Sequence, residues 1–253
     1  MLYSLEMQDY KSLFQGLEIT ALFLGWQDYQ SDLWLPVAKM TWKDDFSQYC
    51  FRYTKGMARA IEVSPIQKSS FITHPDRLYR SHITQNESLK FKSRMPLSRT
   101  RYVSKQQQWL GLPEDPIDPI AYVSRSGGRR YQDSYDVFPE IKPDSQGNYH
   151  FHFLPLDVSK LEPDCYEYLL QLAPGDRLEI TDNRLNDGRF QLGRLPGYLQ
   201  DMARNCPAAI QIEVARVNPK APQFHSLLCH ATVNNAPLTP FNAPEYQTYP
   251  TQN

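Results

Sequence analysis

Leu172-Ala-Pro-Gly-Asp-Arg-Leu-Glu-Ile180, followed closely by Asp182-Asn183 and Leu192-Gly-Arg-Leu-Pro-Gly-Tyr-Leu199, is the stretch on which the fold turns. Arg177-Leu-Glu-Ile180 and Phe190-Gln-Leu-Gly193 read as short strands. Pro196-Gly-Tyr-Leu-Gln-Asp-Met-Ala-Arg204 reads as a helix with proline in its first turn, where the missing N–H costs nothing. On the N-terminal side a β-rich region starts near Tyr149, where Tyr149, Phe151 and Phe153 alternate with His150 and His152. On the C-terminal side Ile210–Arg216 and His225–Val233 complete a sheet. From Asn234 onward the chain is polar and Pro-rich with one charge, Glu245, and is expected to be extended or mobile.

The first half has its own strand signals. Residues 18–26 form a nearly continuous apolar run of buried-strand length, and Trp34–Met40 is a second strand candidate. In Gln48–Tyr53 the side chains of Tyr49, Phe51 and Tyr53 share one face at period two. Thr54–Ile61 reads as a short helical turn ended before Pro65, and the segment from Tyr102 to Trp109 as a helix stopped by Gly111 and Pro113. Pro113-Glu-Asp-Pro-Ile-Asp-Pro119 should be an extended connector, since residues before proline avoid the helical region.

Composition narrows the function classes. In 253 residues with 16 Tyr, 12 Phe and 20 Pro, there is material for β-rich cores and many turns. Cys50, Cys165, Cys206 and Cys229 are widely spaced and form no CxxC pair, which argues against a disulfide framework or zinc knuckle. No apolar run approaches the roughly 20 residues that span a bilayer, and the start lacks a secretory pattern. The expectation is a cytoplasmic protein with no membrane partner. The formal net charge of -1 is uneven: residues 74–130 hold 11 Lys and Arg against 5 Asp and Glu. One basic face could meet a polyanion while the rest stays acidic.

The 172–199 segment resembles the HIRAN domain, which shows a Pro-Gly-Asp turn into a strand, an Asp-Asn loop, a further strand, and a Gly-Pro turn opening a helix. The resemblance spans about residues 148–235 and implies a small SH3- or OB-like β-barrel that binds DNA, single-stranded or free-ended. The loop departs from the family pattern: Asp182-Asn-Arg-Leu-Asn186 places Leu185 where an aromatic would stack on a base, and Arg194 replaces the aromatic after Gly193. Each lost stack removes about 1–3 kcal/mol per base. Trp34–Met40, Tyr49–Tyr53 and the later Leu78-Tyr79, Ser81, Phe91 and Arg94-Met95 resemble the small N-terminal subdomain of HipA-type proteins. Only the part preceding the kinase body is matched, and nothing supplies a kinase's catalytic and metal-binding Asp residues with a nucleotide loop in order.

The expected fold class is therefore α+β and β-rich: a HipA-N-terminal-like α/β region over 1–112, a connector with the Ser-Gly-Gly-Arg-Arg segment over 113–147, a HIRAN-like barrel over 148–235 and a tail over 236–253. Arg125, Arg129 and Arg130 around Ser126-Gly127-Gly128 suit a backbone nest for phosphate, or else a surface turn paired with Asp133 and Asp136. Arg184 and Arg194, with Asn183 and Tyr198, are expected on a sugar–phosphate backbone, because arginine donates bidentately to phosphate. Arg189 belongs to the same loop, with Asp182 and Asp187 as neutralising neighbours. His150 and His152 share a strand face, but no third metal ligand is evident nearby, so no metal and no cofactor is expected. No catalytic residue is assigned. The expected function is non-enzymatic nucleic-acid binding, to DNA or RNA, in repair, mobile-element control or defence. The alternatives are a protein-interaction or antitoxin-like module, docking a partner through residues 1–112, and a subunit of a larger nucleoprotein complex.

Overall fold

The structure is a computed structural model that describes residues 19–28, 30–31, 33–43, 48–64, 79, 82–84, 91, 94, 101–113, 118–129, 134–205, 210–234 and 241–250. It is α+β and β-rich, with two antiparallel sheets in two compact units. The first unit comprises Met1–Met95, Gly128–Lys142 and Leu238–Asn253; the second comprises Pro96–Gly127 and Pro143–Pro237. The chain thus passes between the units several times, where the sequence reading expected contiguous regions bounded at 112, 147 and 235.

In the first unit β1 (Ile19–Asp28), β2 (Leu33–Trp42), β3 (Tyr49–Tyr53), β4 (His82–Thr84) and β5 (Tyr135–Ile141) form a sheet in the order β4-β3-β2-β1-β5. β1 lies between two neighbours and is buried from Ala21 to Gln27, which explains its unbroken apolar run where an edge strand would alternate. β5 falls inside the stretch expected to be a connector. It pairs with β1 instead, Phe23 opposite Phe138, because its own Val137 and Phe138 need an apolar face to cover them. The tail belongs to this unit as well. Phe241 and Tyr246 are buried, and both rings lie against Phe23. Two aromatics in an otherwise polar segment outweigh its preference for solvent.

Helix α1 (Lys55–Val63) packs on β2 through a glycine. A Cβ on Gly56 would collide with the carbonyl oxygen of Pro36, the same oxygen that accepts a hydrogen bond from Thr54 Oγ1 at 2.5 Å. Both groups are backbone or buried, so neither can retreat. Alanine ordinarily stabilises a helix position by about 1 kcal/mol over glycine. Here the sign reverses: Gly56→Ala should destabilise the first unit by about 1–3 kcal/mol, as forced overpacking does. A denaturant midpoint equal to or above that of the parent protein would remove this account.

In the second unit β6 (Tyr149–Phe153), β7 (Arg177–Thr181), β8 (Arg184–Asn186), β9 (Gln191–Arg194), β10 (Ile210–Val217) and β11 (Leu227–Val233) run in the order β6-β11-β10-β7-β8-β9. The sheet curls into a half-barrel. Leu156, just past β6, bridges to Arg194 on β9 and draws the two edges together. Phe151, Val214, Cys229, Leu185 and Leu192 fill the inside. Two later helices, α4 (Pro163–Leu169) and α5 (Gly197–Asn205), add Leu169, Tyr198 and Leu199 to the buried set. The unit also takes two earlier helices, α2 (Arg101–Trp109) and α3 (Pro119–Ser126). The Pro-rich segment ends in helix rather than continuing extended: Asp118 caps α3 by accepting from Ile120 N and Ala121 N at 2.8 and 3.0 Å. Pro119 follows it in the first turn.

Candidate nucleic-acid interface

The seven residues expected to meet phosphate are distributed over both units. Arg125 is structural. From the end of α3 its Nη1 donates to Leu110 O and Gly111 O at 2.8 and 3.0 Å. Arg216 donates to Gln108 O, and Asn218 Nδ2 to Trp109 O at 2.9 Å. Four carbonyls at the C-terminal end of α2 and just past it, of which Gln108 O also accepts from Gly111 N, thereby accept from side chains. Burial pushes the Arg125 guanidinium down to about 10, a value that still leaves it charged at neutral pH. The Ser126-Gly127-Gly128 segment ends α3, with Gly127 in the left-handed region.

Arg129 belongs to the first unit and follows the paired alternative. Its Nη2 lies 3.2 Å from Asp136 Oδ2, and Trp34 Nε1 donates to the other oxygen at 3.2 Å. With the Asp136 side chain 7% exposed, the carboxylate requires that guanidinium as counter-charge. Arg130 and Asp133 lie outside the described residues. Tyr198 is 3% exposed and its ring sits 5.6 Å from that of Phe151. The tyrosine is therefore core rather than a surface contact, because the first turn of α5 faces the barrel interior. Leu185, expected on a loop, lies on β8 and is fully buried, so its side chain points inward and offers no base-stacking platform.

Asn183, Arg184 and Arg194 do come together. Asp182 and Asn183, with φ of 50° and 64°, form the two-residue turn between paired Thr181 and Arg184, where both central residues must adopt positive φ. Asn183 O accepts from Leu195 N at 2.9 Å, tying the turn to the start of the next helix. Across β8 and β9, Arg184 and Arg194 stand directly opposite one another. Arg194 Nε is 3.1 Å from Asp157 Oδ2. Burial works against the Asp157 charge, yet Lys160 and Arg194 together hold its carboxyl below the usual range. Arg184 is exposed and has no ion pair among the described residues. Nearby, Arg189 lies 5.5 Å from the centre of the Tyr168 ring.

The sequence reading weighed His230 only with His225 and Cys229, as an unpersuasive metal group; in the structure it stands opposite His152 in the β6–β11 register. Period-two spacing on one strand signals only the His150–His152 pair; its cross-strand neighbour depends on register. No helix among the described residues is long and apolar enough to cross a membrane. These features define a two-unit α+β protein whose second unit is a half-barrel with an arginine pair on its outer face. Comparison with protein-family models, curated proteins and solved structures finds no match.

Proposed function

We propose that the second unit is a non-enzymatic nucleic-acid-binding module that grips the sugar–phosphate backbone, probed first as DNA with single strands or free ends, through the outer face of β8 and β9. One observation carries the reading: Arg184 and Arg194 are directly opposite across a strand pair. Like charges in that position disfavour pairing. Asp157 relieves the cost for Arg194 alone, and a phosphate would relieve it for both. Asn183 at the adjoining turn adds an amide that can donate to phosphate or sugar oxygens. The HIRAN-like order of turn, strands and helix supports the same reading, while the loss of stacking at Leu185 implies contacts to the backbone rather than to bases.

Fluorescence anisotropy with labelled single-stranded, duplex and free-ended DNA, and with single-stranded RNA, tests this across a salt series. Binding is expected at low salt and should fall steeply as counterions are restored. Arg184→Ala should weaken it on all sequences alike and reduce the salt slope by about 1. No binding to any of the four at low salt would end the proposal. A protein-interaction module is the second reading, favoured by the burial of both Leu185 and Tyr198. Pull-down with the full chain, compared with the Arg184→Ala chain, distinguishes that case.

A further inference from the structure

A line of polar side chains on the outer face of the second sheet is not used by polyanion binding. His150 and His152 stand on β6, His230 and Thr232 on β11 and Glu213 on β10. Register places His152, His230 and Glu213 side by side, with His150 beside Thr232. His150 Nδ1 is 3.2 Å from His230 Nε2, and the two rings are within 9° of parallel. The outer nitrogens meet carboxylates: Asp144 Oδ2 is 2.9 Å from His150 Nε2, and Glu213 Oε1 is 3.0 Å from His230 Nδ1. Ionised carboxylates only accept, so both outer nitrogens carry hydrogen and the two inner nitrogens face each other.

We propose that the inner nitrogens of His150 and His230 form a binding site for a divalent transition-metal ion of the copper or zinc kind. Two imidazole nitrogens on one ion, each at about 2.0–2.1 Å, stand about 3.3 Å apart at a tetrahedral angle, close to the separation already present. In protein metal sites the second nitrogen of a ligating histidine almost always donates to a carboxylate or carbonyl, which sets its tautomer and aims the ring. Both histidines have that partner in place. The ion sits off the line between the two inner nitrogens and is bound through their lone pairs, while both outer N–H groups keep their carboxylates.

Access is adequate, with the His150 and His230 side chains 28% and 19% exposed. The His152 ring stacks against His230 at 4.8 Å and forms a wall beside it. Among the described residues no group of three or more His, Cys, Asp or Glu is arranged to hold a metal ion. The chain therefore supplies two ligands and water completes the shell, with Thr232 Oγ1 3.5 Å from His150 Nδ1. Imidazole ligands with open positions favour Cu2+ over Zn2+.

Calorimetric titration of the chelator-treated full chain with Cu2+ and with Zn2+ at neutral pH tests the site. The expected result is one ion per chain, with Cu2+ the tighter, and loss of that binding in His150→Ala and in His230→Ala. Asp144→Asn and Glu213→Gln keep both ligands and should each weaken binding about 10–100-fold, the effect of removing a ligand's outer partner. Those two variants also decide the matter if an alanine variant does not fold. Absence of binding, or affinity unmoved by Asp144→Asn and Glu213→Gln, overturns the proposal. The titration is independent of nucleic acid, so it stands or falls apart from the polyanion reading.

Discussion

A chain ending at residue 240 is expected not to fold its first unit. Residues 241–250 look dispensable, polar and rich in proline, yet they bring two rings into the β1 face. The Phe241 centroid is 5.7 Å from that of Phe23, and the Tyr246 ring meets Phe23 edge-on at 5.5 Å and Phe138 edge-on at 6.3 Å. The backbone is tied as well. Lys55 N donates to Gln247 O at 2.8 Å, Arg52 Nη2 donates to Tyr249 O at 2.5 Å, and Thr248 bridges to Thr54. Deleting one buried aromatic side chain costs about 3–5 kcal/mol. Two such losses rival the whole stability of an ordinary domain, about 5–15 kcal/mol. Amide exchange of β1, β2 and β5 should lose its protection in the truncated chain, with Phe241→Ala and Tyr246→Ala each giving part of the effect. A truncated chain that retains protection and melts within a few degrees of the full one would refute this packing.

Mild acid should destabilise the second unit, with most of the loss between about pH 6.5 and pH 4. Burial drives the His152 imidazole down to about 3, with the positive charges of Arg125, His230 and His150 adding to the effect. Burial alone drives His225 down to about 4, where its ring lies between Trp109 and Phe224. In the unfolded chain both return to the ordinary value near 6.5. As pH falls below that value the unfolded state takes up protons that the folded state refuses, so stability falls with pH. The stability is fully present above about 6.5 and is spent once pH has passed through about 4 and 3. Each pKa unit corresponds to about 1.4 kcal/mol, so the combined loss is several kcal/mol. Asp118, raised by burial, pulls the other way near the bottom of the window. Urea denaturation from pH 7 to 4, followed by amide signals of β6 and β11, measures the slope. His152→Gln with His225→Gln should flatten it; an unchanged slope in the double variant would assign the acid sensitivity elsewhere.

Local pattern was legible wherever a segment answers to its own residues. The apolar run ending at Trp26 became a central strand, and the alternation of Tyr149, Phe151 and Phe153 became one buried face. Pro196 preceded a helix, and Asp182-Asn183 made a tight turn. For the site, sequence reading singled out Asn183, Arg184 and Arg194, which share one strand pair and its turn. It also singled out Arg125, Arg129 and Tyr198, whose partners lie elsewhere: α2 carbonyls, a carboxylate on β5 and an aromatic on β6. Only the Asp136 partner of Arg129 lies close enough in the chain for sequence to offer it as an alternative; nothing near Arg125 or Tyr198 announces theirs.

Periodicity and turn chemistry settled which segments are strands and helices, because side-chain alternation and positive-φ turns are properties of a few consecutive residues. Strand neighbours, ion-pair partners and the facing of His150 toward His230 were settled by folding. Register between segments some 80 residues apart follows from burying both faces together, not from either segment alone. The same holds for the tail, whose two aromatics take their meaning from Phe23 more than two hundred residues earlier. Burial of apolar area is non-directional and cooperative, so it selects partners across the chain that no local pattern encodes.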